Sequence, residues 1–264
     1  MSAPHSATLI HPTAVIDPAA RVAADVIVGP YSVIGAGVEV DSNCWIASHV
    51  VLGGLTFVGA GTRIFPFASL GSEPQDKKYR GESTRLEIGR NNTIREYVTI
   101  NRGTQQDAGV TRVGDDNWIM AYVHIAHDCC IGSHTVLANN TTLAGHVHIG
   151  DYATLGGASL VHQFCHIGEH AFTAYGARIN KSVPPFVMVS EGRGRARGLN
   201  IEGLRRRGFS ADRIRWLKEG YRILYRSELP LDRAIGELDR IAHQSDDLAR
   251  LRDFVSASDR SIVR

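Results

Sequence analysis

The chain has 264 residues, of which 43% are hydrophobic and 21% charged, so it contains enough apolar material to bury a substantial core. The formal net charge of +2 is too small to indicate nucleic acid or a membrane surface as the main partner. The charge is uneven, because residues 192–264 carry 17 Lys and Arg against 11 Asp and Glu, whereas residues 1–191 carry 12 against 16. The last quarter of the chain is therefore basic.

The sequence contains no signal for export or membrane insertion. Residues 1–8 lack a basic segment followed by an apolar run, and no apolar stretch approaches the roughly 18 residues of a membrane span. The cysteines include no Cys-x-x-Cys pair, and three of them (Cys44, Cys129, Cys165) fall where a small buried side chain is expected. We therefore expect a soluble, cytoplasmic protein without disulfides.

Aliphatic residues recur every six positions from Ile10 to Leu70, and again from Val113 to Ile167. Position five of each hexad is small or β-branched, so positions one and five are predicted to point inward and the others outward. This period is typical of a parallel β-helix, in which three short strands form a coil of roughly 18 residues and coils stack about 4.8 Å apart. Glycine is frequent at position two, as at Gly29 and Gly59, where positive φ or a close backbone approach is expected.

The hexads are interrupted twice. Residues 71–85 are polar and charged, and residues near 105–112 lengthen the step between Ile100 and Val113. Long loops on a rigid scaffold are frequently functional, so both insertions are candidate walls of a site. The alternative is that each is a solvated surface loop.

The period changes to 3.6 residues after Val183-Pro184-Pro185, which indicates helices. A basic connector at 192–198 precedes them. We expect helices near residues 200–207, 211–227, 231–243 and 245–256, the second of them capped by Ser210. The prediction is thus a mainly β chain with a β-helix domain at 1–190 and a C-terminal α-helical domain at 191–264.

Histidines are concentrated in the second half of the repeats, and most of them are expected to be ordinary exposed side chains. His127 differs because Asp128 follows it, and because His124, His146 and His162 are expected nearby, since steps of 18 residues return to the same face. A neutral imidazole whose tautomer is fixed by a carboxylate takes a proton from a hydroxyl near pH 7. Adjacency in sequence does not establish that Asp128 contacts His127.

Several motifs are specific: HIAHDC at 124–129, LANNTTLAGHV at 137–147, VHQFC at 161–165, VPP at 183–185 and NIEGLRRRGF at 200–209. In these motifs the chain resembles the UDP-N-acetylglucosamine O-acyltransferase family of lipid A biosynthesis. The resemblance implies a left-handed β-helix and a homotrimer with sites in clefts between neighbouring subunits. It implies transfer of an (R)-3-hydroxyacyl group from acyl carrier protein to the 3-hydroxyl of UDP-N-acetylglucosamine, with no cofactor and no metal.

The resemblance also implies residue roles. His127 would be the general base, Asp128 would orient it, and the amide of Gly145 would stabilise the oxyanion during direct transfer without an acyl-enzyme. The implied substrate-binding residues are Gln75, Asp76, Lys78, His124, His146, His162, Gln163, Asn200, Glu202, Arg206 and Arg207. Arginine donors match phosphate oxygens, which suits Arg206 and Arg207 to a diphosphate, although a solvated basic helix turn is the alternative. The basic C-terminal quarter suits an acidic carrier protein.

Tyr175 departs from the family pattern, because some members have glycine where the acyl-chain groove ends. A bulky side chain at that point is expected to shorten the groove. We therefore expect a preference for shorter hydroxyacyl chains than in members with glycine.

Two other functions remain open from the sequence. A γ-type carbonic anhydrase is also a trimeric β-helix, in which three histidines bind zinc across a subunit interface. The 71–85 insertion and the 200–209 motif are features that a small hydrase does not require. A non-catalytic β-helix that only holds partners is the second alternative, and it would not bind UDP-N-acetylglucosamine.

Overall fold

The computed structural model describes residues 10–258 and 261–264. The predicted absence of an export signal at residues 1–8 therefore lies outside the described residues. None of the helices in the described ranges is long and apolar enough to cross a membrane.

Short strands stack into three sheets, as the six-residue period predicts. Sheet 1 contains β1 (Val15–Ile16), β4 (Val33–Ile34), β7 (Val51–Leu52), β10 (Ser69–Ser72), β13 (Thr99–Asn101), β16 (His124–Ile125), β19 (Thr142–Leu143), β22 (Leu160–Val161) and β25 (Arg178–Ile179). Sheet 2 contains β2 (Arg21–Val22), β5 (Val38–Val40), β8 (Leu55–Val58), β11 (Arg85–Ile88), β14 (Val110–Val113), β17 (Cys130–Ile131), β20 (His148–Ile149) and β23 (His166–Ile167). Sheet 3 contains β3 (Ile27–Val28), β6 (Trp45–Ile46), β9 (Arg63–Ile64), β12 (Thr93–Ile94), β15 (Trp118–Ile119), β18 (Val136–Leu137), β21 (Thr154–Leu155), β24 (Phe172–Thr173), β26 (Val187–Val189) and β27 (Ala196–Leu199).

Parallel pairing in register places the aliphatic residues of successive coils above one another. Ile100, Ile125 and Leu143 form one such column through β13, β16 and β19, and all three are fully buried. Burying an aliphatic side chain of this size contributes roughly 1.5–3 kcal/mol. Ile10, on the first rung of the described chain, remains 43% exposed. The buried columns are therefore the core of a parallel β-helix.

The turns differ from the sequence expectation in where positive φ occurs. Gly29 and Gly59 avoid a clash, since a Cβ on either would lie 2.7 or 2.6 Å from backbone of the next coil, but neither has positive φ. Positive φ instead falls at position four of the hexad, on non-glycine residues such as Tyr31 and Asp128. This conformation costs roughly 1–2 kcal/mol for a residue with a Cβ, so the packed rungs must impose it.

The chain passes three corners in each coil. We call the passage from sheet 1 to sheet 2 the first corner, from sheet 2 to sheet 3 the second, and from sheet 3 to sheet 1 the third. Both insertions lie at the first corner, where they occupy residues 73–84 and 102–109. The second insertion lies about three residues earlier than the expected 105–112. It begins after Asn101, where β13 ends, and it stops before Val110 and Thr111, which are buried and pair with β11. The insertions interrupt two consecutive rungs, and the next rung carries His127 at the same corner.

The chain leaves the coils through β26 and β27, which pair antiparallel at one end of sheet 3. Four helices follow, close to the predicted ranges: α1 (Ile201–Arg206), α2 (Ala211–Arg226), α3 (Leu231–Ile241) and α4 (Asp246–Ala257), with a 3-10 turn at Ala242–Gln244. Ser210 and Ser245 cap α2 and α4 through their side chains. Tyr221 and Tyr225 pack against the cores of both the coils and the helices. The division into domains at 190/191 stays a prediction.

The last residues tie the helices to the coils. Ile262 forms a parallel bridge with Ser182, and the amide of Val263 donates to the Ser182 carbonyl at 2.9 Å. The guanidinium of Arg264 donates to the carbonyl of Leu224 at 2.6 and 3.0 Å and to that of Leu229 at 3.0 Å. Arg264 therefore satisfies a carbonyl that the C-terminal turn of α2 leaves without an intrahelical partner.

We predict that Arg264→Ala lowers the free energy of unfolding by about 1–3 kcal/mol, the usual contribution of hydrogen bonds from a charged donor. The measurement is the melting temperature by calorimetry. The control is Arg233→Ala, which removes an exposed arginine on α3. A melting temperature of Arg264→Ala equal to that of Arg233→Ala would show that this contact does not stabilise the helices.

Candidate active site

His127 and Asp128 form a contact at the first corner. The Nδ1 atom of His127 lies 2.8 Å from Oδ2 of Asp128. An ionised carboxylate only accepts hydrogen bonds, so this contact places the imidazole proton on Nδ1 and leaves the lone pair on Nε2. The side chain of His127 is 15% exposed and that of Asp128 is 1% exposed. The pair has the arrangement of a histidine base oriented by a carboxylate.

Asp128 is held from the second insertion as well. Its Oδ1 accepts from the amide of Thr104 at 2.8 Å, and its Oδ2 accepts from the Thr104 hydroxyl at 2.6 Å. The amide of Asp128 donates to the Thr111 hydroxyl at 2.8 Å. Burial acts to raise the pKa of the Asp128 carboxyl, but the hydrogen bonds from His127 and Thr104 outweigh burial and the net pKa is lowered. Asp128 is therefore kept as a carboxylate facing His127.

Two further histidines adjoin this pair. The ring of His146 meets that of His127 edge to face, with centroids 5.1 Å apart. The Nδ1 atom of His124 lies 2.8 Å from the Thr99 hydroxyl on the neighbouring strand. Burial lowers the pKa of His124, and the nearby charge of His127 lowers it further. Of the predicted histidines, His124, His127 and His146 are thus brought together on adjacent rungs.

Gly145 packs directly on the imidazole of His127. A Cβ on Gly145 would lie 2.6 Å from Cε1 and 2.8 Å from Nε2 of that ring. Among residues 10–258 and 261–264, no hydrogen bond uses the amide N–H of Gly145, whereas its carbonyl accepts from Phe164. Glycine is therefore required next to the basic nitrogen, and its amide is available to a further acceptor.

The first insertion extends beside the histidines. The pKa of Asp76 is lowered, chiefly because its carboxylate accepts from the Lys78 amide, and the charges of His127 and His146 add to the effect. Gln75 and Lys78 are exposed on the same loop. The three predicted residues of the 73–84 insertion therefore lie at the corner that carries His127.

A groove with a volume of about 960 Å³ runs along the outer face of sheet 1 and includes His162. Its floor includes Leu160, which is 46% exposed. Gln163 follows His162 and is also exposed. Five basic side chains line the groove: Arg178, Lys181, Arg193, Arg195 and Arg264. An apolar floor with a basic border suits a ligand that carries both a hydrocarbon chain and an anionic group.

The four predicted nucleotide-binding residues lie elsewhere on the chain. Asn200 caps α1, and its Nδ2 donates to the His170 carbonyl at 3.0 Å. The guanidinium of Arg207 lies 4.4 Å from the centre of the Tyr152 ring. His170 and Tyr152 both belong to the second corner. Glu202 pairs with Arg205, and Arg206 is exposed. A single chain therefore does not bring this group together with His127.

Tyr175 lies at the third corner, between β24 and β25, and is 73% exposed. A Cβ on Gly157, one coil earlier, would lie 3.4 Å from the Tyr175 ring. The single chain does not enclose this ring, so its predicted effect on an acyl chain requires a second surface facing it.

Comparisons with known proteins match the chain over its whole length. Residues 183–263 match a family model described as UDP-N-acetylglucosamine O-acyltransferase, domain 2, and residues 111–145 match the six-repeat bacterial transferase hexapeptide model. The acyl-[acyl-carrier-protein]--UDP-N-acetylglucosamine O-acyltransferase of Herminiimonas arsenicoxydans is 55% identical over 97% of this chain and 100% of the relative. This relative shows the family. The chain belongs to the UDP-N-acetylglucosamine O-acyltransferases.

Solved members of the same family share its fold. The enzyme from Acinetobacter baumannii is 46% identical and superposes with a TM-score of 0.95, covering 97% of this chain and 100% of that one. The Arabidopsis enzyme is 36% identical with a TM-score of 0.84, over 97% of this chain and 100% of that one. Membership of this family decides against the zinc hydrase and the non-catalytic scaffold.

The structure also bears on the zinc hypothesis. Among the described residues, one group of three side chains has metal-ligating atoms within 4.8 Å of one another, namely His127, Asp128 and His146. Two of the three are histidines, and the third, Asp128, already accepts three hydrogen bonds. This group has the arrangement of a histidine base oriented by a carboxylate.

Sequence reasoning missed three residues of the site. Thr104 and Thr111 bind Asp128, and Asp107 contacts His146. All three lie in or directly after the second insertion, so the break in the hexads was the only signal that pointed to them. The hexad period places Asp128 on the outward turn of the coil, and the second insertion covers it there, so that only 5% of the residue is exposed.

We predict that Gly145→Ala reduces acyl transfer by at least about 100-fold, because the added methyl group displaces the ring of the base. The measurement is the rate of transfer to UDP-N-acetylglucosamine at saturating substrates. Gly53→Ala is the matched control, since a Cβ there meets nothing within 4 Å. Equal rates for the two variants would mean that the packing of Gly145 on His127 does not matter for turnover.

Proposed function

We propose that this acyltransferase transfers an (R)-3-hydroxyacyl group from acyl carrier protein to the 3-hydroxyl of UDP-N-acetylglucosamine, the first step of lipid A biosynthesis. One observation carries the proposal, namely that the His127–Asp128 pair adjoins the free amide of Gly145. A base beside an amide donor is the arrangement that acyl transfer to a hydroxyl needs.

His127 is the general base in this proposal. Its Nε2 takes the proton of the sugar 3-hydroxyl while the oxygen attacks the thioester carbon. Asp128 holds the Nδ1 proton and stabilises the imidazolium that forms. Because Thr104 fixes both oxygens of Asp128, the ring of His127 is held before substrate arrives.

The amide N–H of Gly145 donates to the oxyanion of the tetrahedral intermediate. When the intermediate collapses, the carbon–sulfur bond breaks, the ester remains on the sugar, and the carrier thiolate takes the proton from the His127 imidazolium. The base returns to its neutral form. No acyl-enzyme is formed, so transfer is direct.

The sugar nucleotide is assigned to the first corner. Gln75, Asp76 and Lys78 of the 73–84 insertion lie at the corner that carries the base, and His124 and His146 lie beside it. Together these side chains offer donors and acceptors to a sugar. Asn200, Glu202, Arg206 and Arg207 are assigned to the nucleotide, since arginine donors match a diphosphate.

The acyl donor is assigned to the groove on sheet 1. The exposed Leu160 offers apolar contact for a hydrocarbon chain. His162 and Gln163 follow β22 at the first corner, the corner that carries the base. The basic border suits the phosphate of the pantetheine arm, and the basic C-terminal quarter suits an acidic carrier protein that docks by electrostatic attraction. The acyl chain would end at Tyr175.

The proposed assembly is a homotrimer with sites between subunits. The base lies at the first corner, the nucleotide-binding residues at the second and Tyr175 at the third. If the second corner of one subunit faces the first corner of its neighbour, the base and the nucleotide-binding residues share one cleft. Oligomerisation is therefore part of the proposed mechanism.

We predict that His127→Ala lowers the rate of transfer to UDP-N-acetylglucosamine by about 10² to 10⁴, the usual contribution of a general base. Hydroxyacyl carrier protein is the donor, and light scattering checks that the variant assembles as the wild type does. His49→Ala, which removes a histidine at the third corner, is the control. If the wild type transfers nothing, the proposed reaction is wrong. If the wild type is active and His127→Ala is equally active, the assigned base is wrong.

We predict that the wild type prefers shorter hydroxyacyl chains than family members with glycine at this position, and that Tyr175→Gly shifts the preference to longer ones, since the ring is proposed to close the end of the acyl groove. The measurement is kcat/KM across a series of hydroxyacyl carrier proteins of increasing length. Tyr122→Ala removes another exposed tyrosine from the same corner and is the control. An unchanged chain-length profile in Tyr175→Gly would remove Tyr175 from the acyl site.

A further inference from the structure

A second histidine–carboxylate pair lies beside the first. The Nδ1 atom of His146 is 2.7 Å from Oδ2 of Asp107. The side chain of His146 is 13% exposed, and its ring meets His127 edge to face at 5.1 Å. Asp107 has no role in the mechanism derived above, although it contacts a residue at the centre of the site.

The second insertion is held so that Asp107 reaches His146. At its start, Arg102 donates to the Tyr79 hydroxyl at 2.6 Å and to the Gly71 carbonyl at 3.1 Å. Two residues later, the amide and hydroxyl of Thr104 bind the Asp128 carboxylate. The loop is therefore anchored to the first insertion and to the catalytic pair before it presents Asp107.

The contact fixes how His146 faces the site. Because a carboxylate only accepts, Asp107 places the proton of the neutral imidazole on Nδ1 and the lone pair on Nε2. That Nε2 lies 3.9 Å from Oδ2 of Asp128. Phe164 stacks on the ring at a centroid distance of 4.5 Å and limits its rotation. Without Asp107, the ring is free to carry its proton on Nε2 instead.

We propose that Asp107 is a positioning residue for acyl transfer, which fixes the tautomer and orientation of His146 so that Nε2 accepts a hydrogen bond from a hydroxyl or amide N–H of the acceptor sugar. This inference rests on the proposed function. It assigns His146 to recognition of a donor group on the sugar, next to the hydroxyl that His127 deprotonates. The carboxylate acts only through His146.

The test compares Asp107→Ala with Asp107→Asn in the assembled enzyme. The alanine variant is expected to raise KM for UDP-N-acetylglucosamine about tenfold with little change in kcat, the upper end of what one hydrogen bond between neutral groups contributes. The asparagine variant keeps an oxygen that accepts from Nδ1–H and is expected to retain most of the affinity. Gln106→Ala, an exposed neighbour in the same loop, is the control.

A double-mutant cycle separates positioning from a general structural effect. In a His146→Ala background, Asp107→Ala is expected to have no further effect on KM, because the residue through which it acts is gone. An equal effect in both backgrounds, or an alanine variant that behaves as Gln106→Ala does, would overturn the inference. A wild type that transfers nothing would instead refute the proposed function, so the two failures are distinguishable.

Discussion

In-register stacking of short strands is the constraint on which the rest of the structure depends. Each strand is only a few residues long, so an aliphatic side chain such as Ile125 is placed by Ile100 and Leu143 on the rungs beside it rather than by its own segment. A residue at a corner is therefore positioned as precisely as the strands on either side of it. Gly145 and His127 contact each other because their rungs are neighbours, and the backbone amide of His146 donates to the His127 carbonyl at 3.0 Å. The stack thus fixes the positions of these corner residues, and such fixed positions favour catalysis by the proposed groups.

Regular stacking alone supplies no buried charge, and the chemistry arises where the repeat is interrupted. The two insertions leave the first corner on the two rungs before His127, and Arg102 joins them through the Tyr79 hydroxyl. Covering Asp128 removes it from water, a cost that its hydrogen bonds offset. Asp128 also has positive φ, which the bond from its amide to Thr111 helps to hold. Burial and positive φ thus coincide on the carboxylate that contacts His127.

The sequence predicted those features that follow from the spacing of its apolar residues. Hexads placed the rungs and the inward side chains, and the change to a 3.6-residue period placed four helices within a few residues of their observed ends. Periodicity carries no information about a loop that leaves the coil, so neither the burial of Asp128 nor the contact of Asp107 with His146 was predictable. The positive φ of Tyr31 was not predictable either, because neighbouring rungs impose this conformation on a residue type that does not favour it. The motifs supplied the family, and family resemblance rather than spacing supplied the residue roles.

The distribution of candidate residues over three corners has a consequence for assembly. Sheet 2 separates the first corner from the second, and the rigid stack leaves no hinge that would bring Arg207 to His127 within one chain. A site that needs both residues must therefore be completed by another subunit. The groove on sheet 1 is open in the single chain, so a neighbour that contributes its second corner would also cover the acyl chain. A single contact between subunits would then bring the base, the nucleotide and the acyl group together, which is why oligomerisation is part of the proposed mechanism.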